Sequence, residues 1–303
     1  MRNFVLSLAG LAARLLPMRL KKSFYRFPAL ARFIRRSLNR AAPKGQVPVQ
    51  VSGGSLAGTR LLLDLQSEKD YWLGTYEPEL QAALQDYVQP GMVAYDVGAN
   101  IGYTSLLFAK AVGPDGRVYA FESLPENLKR METNIELNDL AGRVTIVPKA
   151  VADRSGELRF LVGPSGGMGK LEGSAGRQDV AYPDSIIVQG VALDDFVFEA
   201  GNPSPHVIKM DIEGGEILAL PGMRRLLETV RPVVFLELHG PEAAQVAWRT
   251  FSAAGYRICQ MAPGAPVVRS FDALGWKSYL VALPEEQANH PAEQVQRETP
   301  VDR

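Results

Sequence analysis

Between a β-forming run, Val93–Val97, and a helix-forming run, Tyr103–Val112, stands the segment Asp96-Val97-Gly98-Ala99-Asn100-Ile101-Gly102. In an open α/β sheet, ligands bind outside the carboxyl ends of the strands. Gly98 and Gly102 let the backbone approach a ligand at a helix start, where free N–H groups collect. A dinucleotide fingerprint needs a glycine in the middle position to make room for pyrophosphate. Asn100 stands there, which argues against a dehydrogenase. Asp96, two residues before Gly98, suits a ligand carrying an ammonium group and hydroxyls; the alternative is a tight turn with no ligand. Glu122 ends the next strand, Val118–Phe121, and an acid there can accept both hydroxyls of a ribose. Such an acid alone is commonly just solvated. Together, Asp96 and Glu122 outline a nucleoside pocket.

A second group is Lys209, Asp211, Glu213 and Glu216, at a strand end and the following helix start. Lys209 and Asp211 point to one side because strand side chains alternate. Glu213 and Glu216 share a helix face if the helix has begun, and acids there also favour the helix N-terminus. Asp211 is the candidate for contact with the reacting groups. His239 follows Val233–Leu238 at the same sheet edge and titrates near neutrality, so it is a candidate base, although a lone histidine is more often structural. Asp211, Glu237 and His239 could converge on a divalent cation. The spacing does not demand one, and no metal ligand is assigned. His206 and His290 receive no role.

These residues need a frame. Strand-like segments (Val93–Val97, Arg117–Phe121, Val144–Val147, His206–Met210, Pro232–Leu238) alternate with helical ones (Tyr103–Val112, Glu126–Asn138, Glu216–Val230, Glu242–Ala254). Two closing strands follow, near Tyr256–Gln260 and Ser278–Leu283. This alternation predicts an α/β fold with a mostly parallel sheet covered on both faces. Residues 1–45 read as a basic helical extension, and 46–90 as a hairpin (Val47–Val51, Arg60–Leu65) with a helical lead-in. The α/β domain is 91–284, and 285–303 is a polar tail. The glycine-rich stretch Gly163–Gly176 reads as a mobile loop, either a lid or an insertion.

With 46% hydrophobic and 22% charged residues in 303, the chain excludes wholesale disorder and collagen-like repeats. The single cysteine, Cys259, excludes a disulfide framework and a Cys-rich zinc site. The zero net charge conceals an asymmetry: residues 1–40 carry ten Lys/Arg and no acid, leaving 23 basic against 33 acidic residues after them. A body that acidic is a poor nucleic-acid binder. The apolar run Phe4–Ala13 is too short to span a bilayer, which takes about 20 residues. A basic amphipathic arm can lie on an anionic membrane surface. It can also simply pack on the domain; a cleaved leader lacks a convincing cleavage site. The expected location is cytoplasmic, with peripheral contact at the inner membrane face as an option; oligomeric state is open.

From about Gly53 to Pro284 the chain resembles a class I S-adenosylmethionine-dependent methyltransferase of the FkbM family. The resemblance rests on Tyr71-Trp72-Leu73-Gly74-Thr75-Tyr76-Glu77-Pro78-Glu79, the segment Asp96–Ser105, and Ala120-Phe121-Glu122. It continues through Ala150-Val151-Ala152-Asp153, Leu193-Asp194-Asp195-Phe196, Ile208–Glu216, Arg231-Pro232 and Glu237-Leu238-His239. Ser123 stands where the family often has proline, which leaves the Glu122 carboxylate in place.

The resemblance implies a Rossmann-like seven-stranded sheet with S-adenosylmethionine across the ends of its first strands. Asp96, Gly98 and Gly102, with Asn100 in the same turn, would hold the methionine part. Glu122 would hold the ribose, and the segment from Ala150 to Asp153 the adenine. Tyr76 and Glu77 could close over the methionine end, or be a buried aromatic and a surface acid. The expected reaction is O-methylation of a sugar, glycan or polyketide-like metabolite, with Asp211 or His239 as base and Lys209 orienting. The alternatives are N-methylation, a lipid-linked acceptor, or a non-catalytic membrane-associated binding module.

Overall fold

A computed structural model describes residues 2–15, 28–163, 169–177 and 179–288. The N-terminal part holds helices α1 (Arg2–Leu15) and α2 (Pro28–Ala41), then the hairpin β1 (Gln46–Gln50) and β2 (Arg60–Asp64). Helices α3 (Lys69–Leu73) and α4 (Pro78–Tyr87) lead into β3 (Val93–Val97), α5 (Tyr103–Ala111), β4 (Arg117–Phe121), α6 (Pro125–Glu136) and β5 (Val144–Val147). A smaller group follows: β6 (Ala150–Val151), β7 (Gly156–Val162), β8 (Gly169–Leu171) and β9 (Asp184–Val191). The chain then returns through β10 (Val207–Met210), α7 (Glu216–Ala219), α8 (Arg224–Thr229) and β11 (Val233–His239). It closes with α9 (Pro241–Ala253), β12 (Tyr256–Gln260), β13 (Lys277–Pro284) and α10 (Glu285–Ala288).

The main sheet has seven strands in the order β12-β13-β11-β10-β3-β4-β5. The five from β11 to β5 run parallel, while β13 is antiparallel to both β11 and β12. Central parallel strands must be apolar on both faces, and β10 and β11 are buried along their whole length. The two-residue period sorts their side chains. Ala94, Val118, Val207 and Phe235 face a core shared with α4, α5, α6 and the hairpin. Tyr95, Phe121, Ile208, Met210, Leu236 and Leu238 face a second core under α8 and α9. The hairpin and lead-in belong to the first core through Leu61, Leu63 and Trp72, so they are part of the same body.

Two expectations change. The helix expected over Glu216–Val230 is broken, because Pro221 converts Leu220–Met223 to a tighter turn between α7 and α8. The glycine-rich stretch is also not all loop. Gly169–Leu171 is a strand in a four-stranded sheet of order β6-β9-β7-β8, and residues 164–168 lie outside the described residues. Glycine is required there by packing: a Cβ at Gly169 would overlap the Phe160 ring, and one at Gly190 the Leu158 side chain.

Within the stretch read as a basic helical extension, α1 and α2 pack on each other, with Leu38 and Ala42 reaching the first core. Residues 16–27 and the tail from 289 lie outside the described residues. Among the described residues, no helix is long and apolar enough to cross a membrane.

Candidate active site

One face of the sheet changes chemistry as it reaches its carboxyl edge. Above Ala94, Val207 and Phe235 the same alternation presents Asp96, Lys209, Asp211, Glu237 and His239. The register sets Lys209 directly beside Asp96. Its Nζ is 3.9 Å from Asp96 Oδ1 and 3.5 Å from Asp211 Oδ2. Burial alone would pull the Lys209 pKa down, but Asp211, Asp96, Glu77 and Glu237 outweigh it and push it up. The lysine is a permanent cation among carboxylates. Asp96 is fully buried, which pushes its carboxyl up against the opposing pull of Lys209 and Ser105. Ser105 Oγ donates to Asp96 Oδ2 at 2.6 Å, while Oδ1 has no hydrogen-bond partner.

The β3–α5 turn is built by left-handed residues: Gly98 at φ 82°, Asn100 at 51° and Gly102 at 86°. The Gly98 and Ala99 N–H groups donate to the Phe121 carbonyl at 3.1 and 2.9 Å, tying the turn to the end of β4. Glu122 lies there, accepting from the backbone N–H of Asn100 (2.9 Å), Ser123 (2.8 Å) and Leu124 (2.8 Å). Burial pushes its carboxyl up, and those three donors resist the shift.

Lys209, Asp211, Gly98, Asn100 and Glu122 line one cleft of about 900 Å³, counting its open mouth, while the fully buried Asp96 lies outside its lining. Asn100, Glu122, Lys209, Asp211 and Glu213 form its polar part, and Leu124, Ala150, Val151, Phe160 and Leu171 an apolar end roofed by the four-stranded sheet. The residues fit S-adenosylmethionine: a left-handed glycine turn at a helix start, a carboxylate at the end of the neighbouring strand and an apolar slot around Ala150. Two tyrosines that the sequence reading passed over, Tyr71 and Tyr103, stack with Tyr76 at centroid distances of 4.4–5.6 Å and line the same cleft. Burial pushes all three hydroxyls up, so they stay neutral. The aromatic spacing in 71–76 was the signal for them.

Glu77 precedes α4 at φ 42°, a left-handed conformation unusual for glutamate. Burial pushes its carboxyl up to about 7; Lys209 opposes this, and Asp211 and Glu237 add to it. It therefore shares the field of the Lys209–Asp211–Glu237 group as well as standing beside the Tyr76 wall. His239 Nε2 is 3.0 Å from Glu237 Oε1, and Nδ1 is 3.7 Å from Glu216 Oε1 and 4.0 Å from Asp211 Oδ1. Burial would lower its pKa, but Glu216 and Glu237, with Asp211 and Glu213, raise it to about 10. Lys277 also pairs with Glu237 Oε1. Asp211, Glu237 and His239 bring one potential ligand atom each within 4.8 Å of one another, so their convergence is real. His206 is structural: its Nδ1 accepts the Val93 N–H at 3.0 Å.

Residues 96–258 match the Methyltransferase FkbM domain model. The chain belongs to the FkbM methyltransferase family. Among the family-related proteins, hexuronic acid methyltransferase AglP of Haloferax volcanii is 28% identical over 165 residues, 54% of this chain and 62% of that protein. The 2-O-methyltransferase NoeI of Sinorhizobium fredii is 30% identical over 156 residues, 47% of this chain and 62% of that protein. The chain thus spans about three-fifths of the length of these curated relatives. A crystal structure of methyltransferase FkbM from Methylobacillus flagellatus KT superposes with a TM-score of 0.42 at 18% identity, covering 72% of this chain and 53% of that one. The FkbM domain match begins at Asp96 and includes Glu122, Lys209, Asp211 and His239. Tyr71, Tyr76 and Glu77 lie before it.

Proposed function

We propose that this FkbM-family protein transfers a methyl group from S-adenosylmethionine to a hydroxyl of a sugar or glycan. The observation that carries it is the continuity of one cleft from Glu122, past the Gly98–Asn100 turn, to Lys209 and Asp211. A nucleoside-binding carboxylate and a charged reaction zone share a single wall. The sugar acceptor is supported by AglP and NoeI, which are named for hexuronic acid and 2-O methylation.

Bound S-adenosylmethionine supplies an electrophilic methyl group, so alignment of the acceptor is the main task left to the protein. Gly98 and Asn100 would hold the amino-acid end, with Asp96 and Gly102 supporting their turn from beneath and the tyrosine wall beside it. Glu122 would hold the ribose hydroxyls, and Ala150 the adenine. Lys209 balances Asp96 and Asp211 and fixes the direction of the Asp211 carboxylate. Of the two candidate bases, Asp211 is favoured: His239, held as a cation by Glu216 and Glu237, has no lone pair to offer at neutral pH. Asp211 accepts the acceptor's hydroxyl proton, and His239 positions Asp211. Divalent metal carries no step in this scheme.

Calorimetric titration of S-adenosylmethionine and its demethylated product into the full chain tests the reading. The expected result is micromolar binding, lost in Asp96→Ala and Glu122→Ala, and methyl transfer to hydroxylated glycans. A folded protein that binds neither molecule would leave only the scaffold alternative.

A second reading concerns the arm. Leu11 and Leu15, one helical turn apart on α1, are 52% and 71% exposed, and Arg14, Arg32, Arg36 and Arg40 are exposed around them. We propose that this surface rests on anionic lipid. Pelleting with phosphatidylglycerol vesicles is expected to fall in Leu11→Asp/Leu15→Asp; unchanged pelleting of the variant removes the idea.

A further inference from the structure

Burying large apolar side chains stabilises a fold, yet Phe271, Trp276 and Tyr279 crowd one short stretch and stay 37%, 45% and 37% exposed. Their place is not random. Antiparallel pairing sets Lys277 opposite His239 and Tyr279 opposite Glu237, so the start of β13 lies against the reactive end of β11. Trp276 is fixed there: its carbonyl accepts the Gly240 N–H at 2.6 Å. Its indole meets the His239 ring edge-on, with centroids 5.9 Å apart and planes at 76°. An anchored indole with half its surface open is a platform rather than a core residue.

Arg177 adjoins this indole. The segment before it is docked on the cleft wall, where the Ala175 N–H donates to the Gly214 carbonyl at 3.0 Å. Gly176 sits so close that an added Cβ would be 2.5 Å from the Glu213 carbonyl oxygen. The Arg177 guanidinium carbon then lies 5.8 Å from the Trp276 ring. Among the described residues it makes no ion pair within 4 Å, whereas the neighbouring Lys277 is committed to Glu237. A guanidinium without an ion-pair partner, held over an indole that stays 45% exposed, matches a planar or tetrahedral oxyanion carried on an apolar-faced ring.

We propose that Trp276 and Arg177 form the acceptor subsite, and that they select a pyranose bearing an anionic group, carboxylate or phosphate. The C–H face of the sugar lies on the Trp276 indole, and its anion is bound by Arg177. The ring hydroxyls then turn toward Asp211 and His239. This deepens the sugar-methylation reading and rests on it. It makes Trp276 and Arg177 specificity residues with no contact to the cofactor.

The test is performed on the full chain saturated with S-adenosylhomocysteine. Methyl glucoside, methyl glucuronide and glucose 1-phosphate are titrated while tryptophan fluorescence is followed. The expected result is at least tenfold tighter binding of one or both anionic sugars than of the glucoside. Which of the two binds distinguishes carboxylate from phosphate. Arg177→Gln is expected to abolish that preference and Arg177→Lys to restore part of it. Trp276→Ala should weaken all three sugars by tenfold or more, read by calorimetry because the probe is gone, and Trp276→Phe should recover most of the loss. Cofactor binding, measured in each variant, stays at the parental value. If the parent binds S-adenosylhomocysteine but shows no preference for anionic sugars, or the variants leave the preference intact, the subsite is overturned while the methyltransfer reading stands. If the parent binds no S-adenosylhomocysteine, the methyltransfer reading has failed first and the subsite falls with it.

Discussion

Gly98 lies so close to Asp211 that a Cβ on the glycine would overlap the aspartate's carbonyl oxygen. The turn after β3 and the end of β10 are therefore one rigid unit, with the proposed cofactor floor and the proposed base locked together. Gly98→Ala meets this clash and also requires φ 82° from a residue with a Cβ. The expected outcome is a loss of about 2–4 kcal/mol in stability, with cofactor affinity falling at least tenfold. Denaturant unfolding and calorimetry check it. Parental values for both would mean that the contact is slack.

Glu122 accepts three backbone N–H groups. Removing its carboxylate leaves buried donors unsatisfied, at about 1–3 kcal/mol. Glu122→Gln keeps one acceptor oxygen and the shape but loses the charge. It is expected to weaken S-adenosylmethionine by ten- to a hundredfold while costing less stability than Glu122→Ala. Adenosine, titrated separately, should show the same loss, and methionine none. A variant that loses methionine affinity instead would place the ribose elsewhere.

Glu77 gives a pH signature. Its folded carboxyl is held near 7 by burial, against an ordinary value of 4.5. Between those values the folded chain keeps a proton that the unfolded chain releases. Its contribution to stability therefore declines as pH rises from about 4.5 to 7 and does not recover above that. Glu77→Gln removes the titration. The variant should match the parent near pH 4.5 and exceed it at pH 8 by about 1–3 kcal/mol, discounted for solvent screening. Thermal unfolding at the two pH values reads the difference, and a constant gap would refute the assignment.

Much of this site is legible in the sequence because strand alternation is a local rule. Lys209 and Asp211 must share a side, and Asp96 and Glu122 must end adjacent strands once the β-α-β rhythm is seen. The contacts that arise from packing between distant segments are not legible. Gly169 reads as a loop residue because glycine signals flexibility, whereas here it makes room for the Phe160 ring across a strand pair. The break at Pro221 was written in the sequence, yet the apolar periodicity on both sides masked it. Trp276 reaches His239 only because β13 reverses direction against β11, a pairing that no local pattern encodes.

His239 and Asp211 give the sharpest division of labour. The histidine's folded pKa of about 10 lies above its ordinary 6.5: burial opposes the rise, and Glu216 and Glu237 overcome it. Its stabilising contribution is then fully present below about pH 6.5 and is lost as pH rises through about 10. His239→Gln leaves buried carboxylates without their cation and is expected to cost about 3 kcal/mol at pH 6, with the gap to the parent closing toward pH 10. Asp211→Asn removes the proposed base and should lower kcat by about 10²–10⁴-fold with the cofactor Kd changed far less. Activity of the parent should not require deprotonation of His239, so kcat should show no rise with a midpoint near pH 10. Such a rise, together with an active Asp211→Asn, would return the role of base to the histidine.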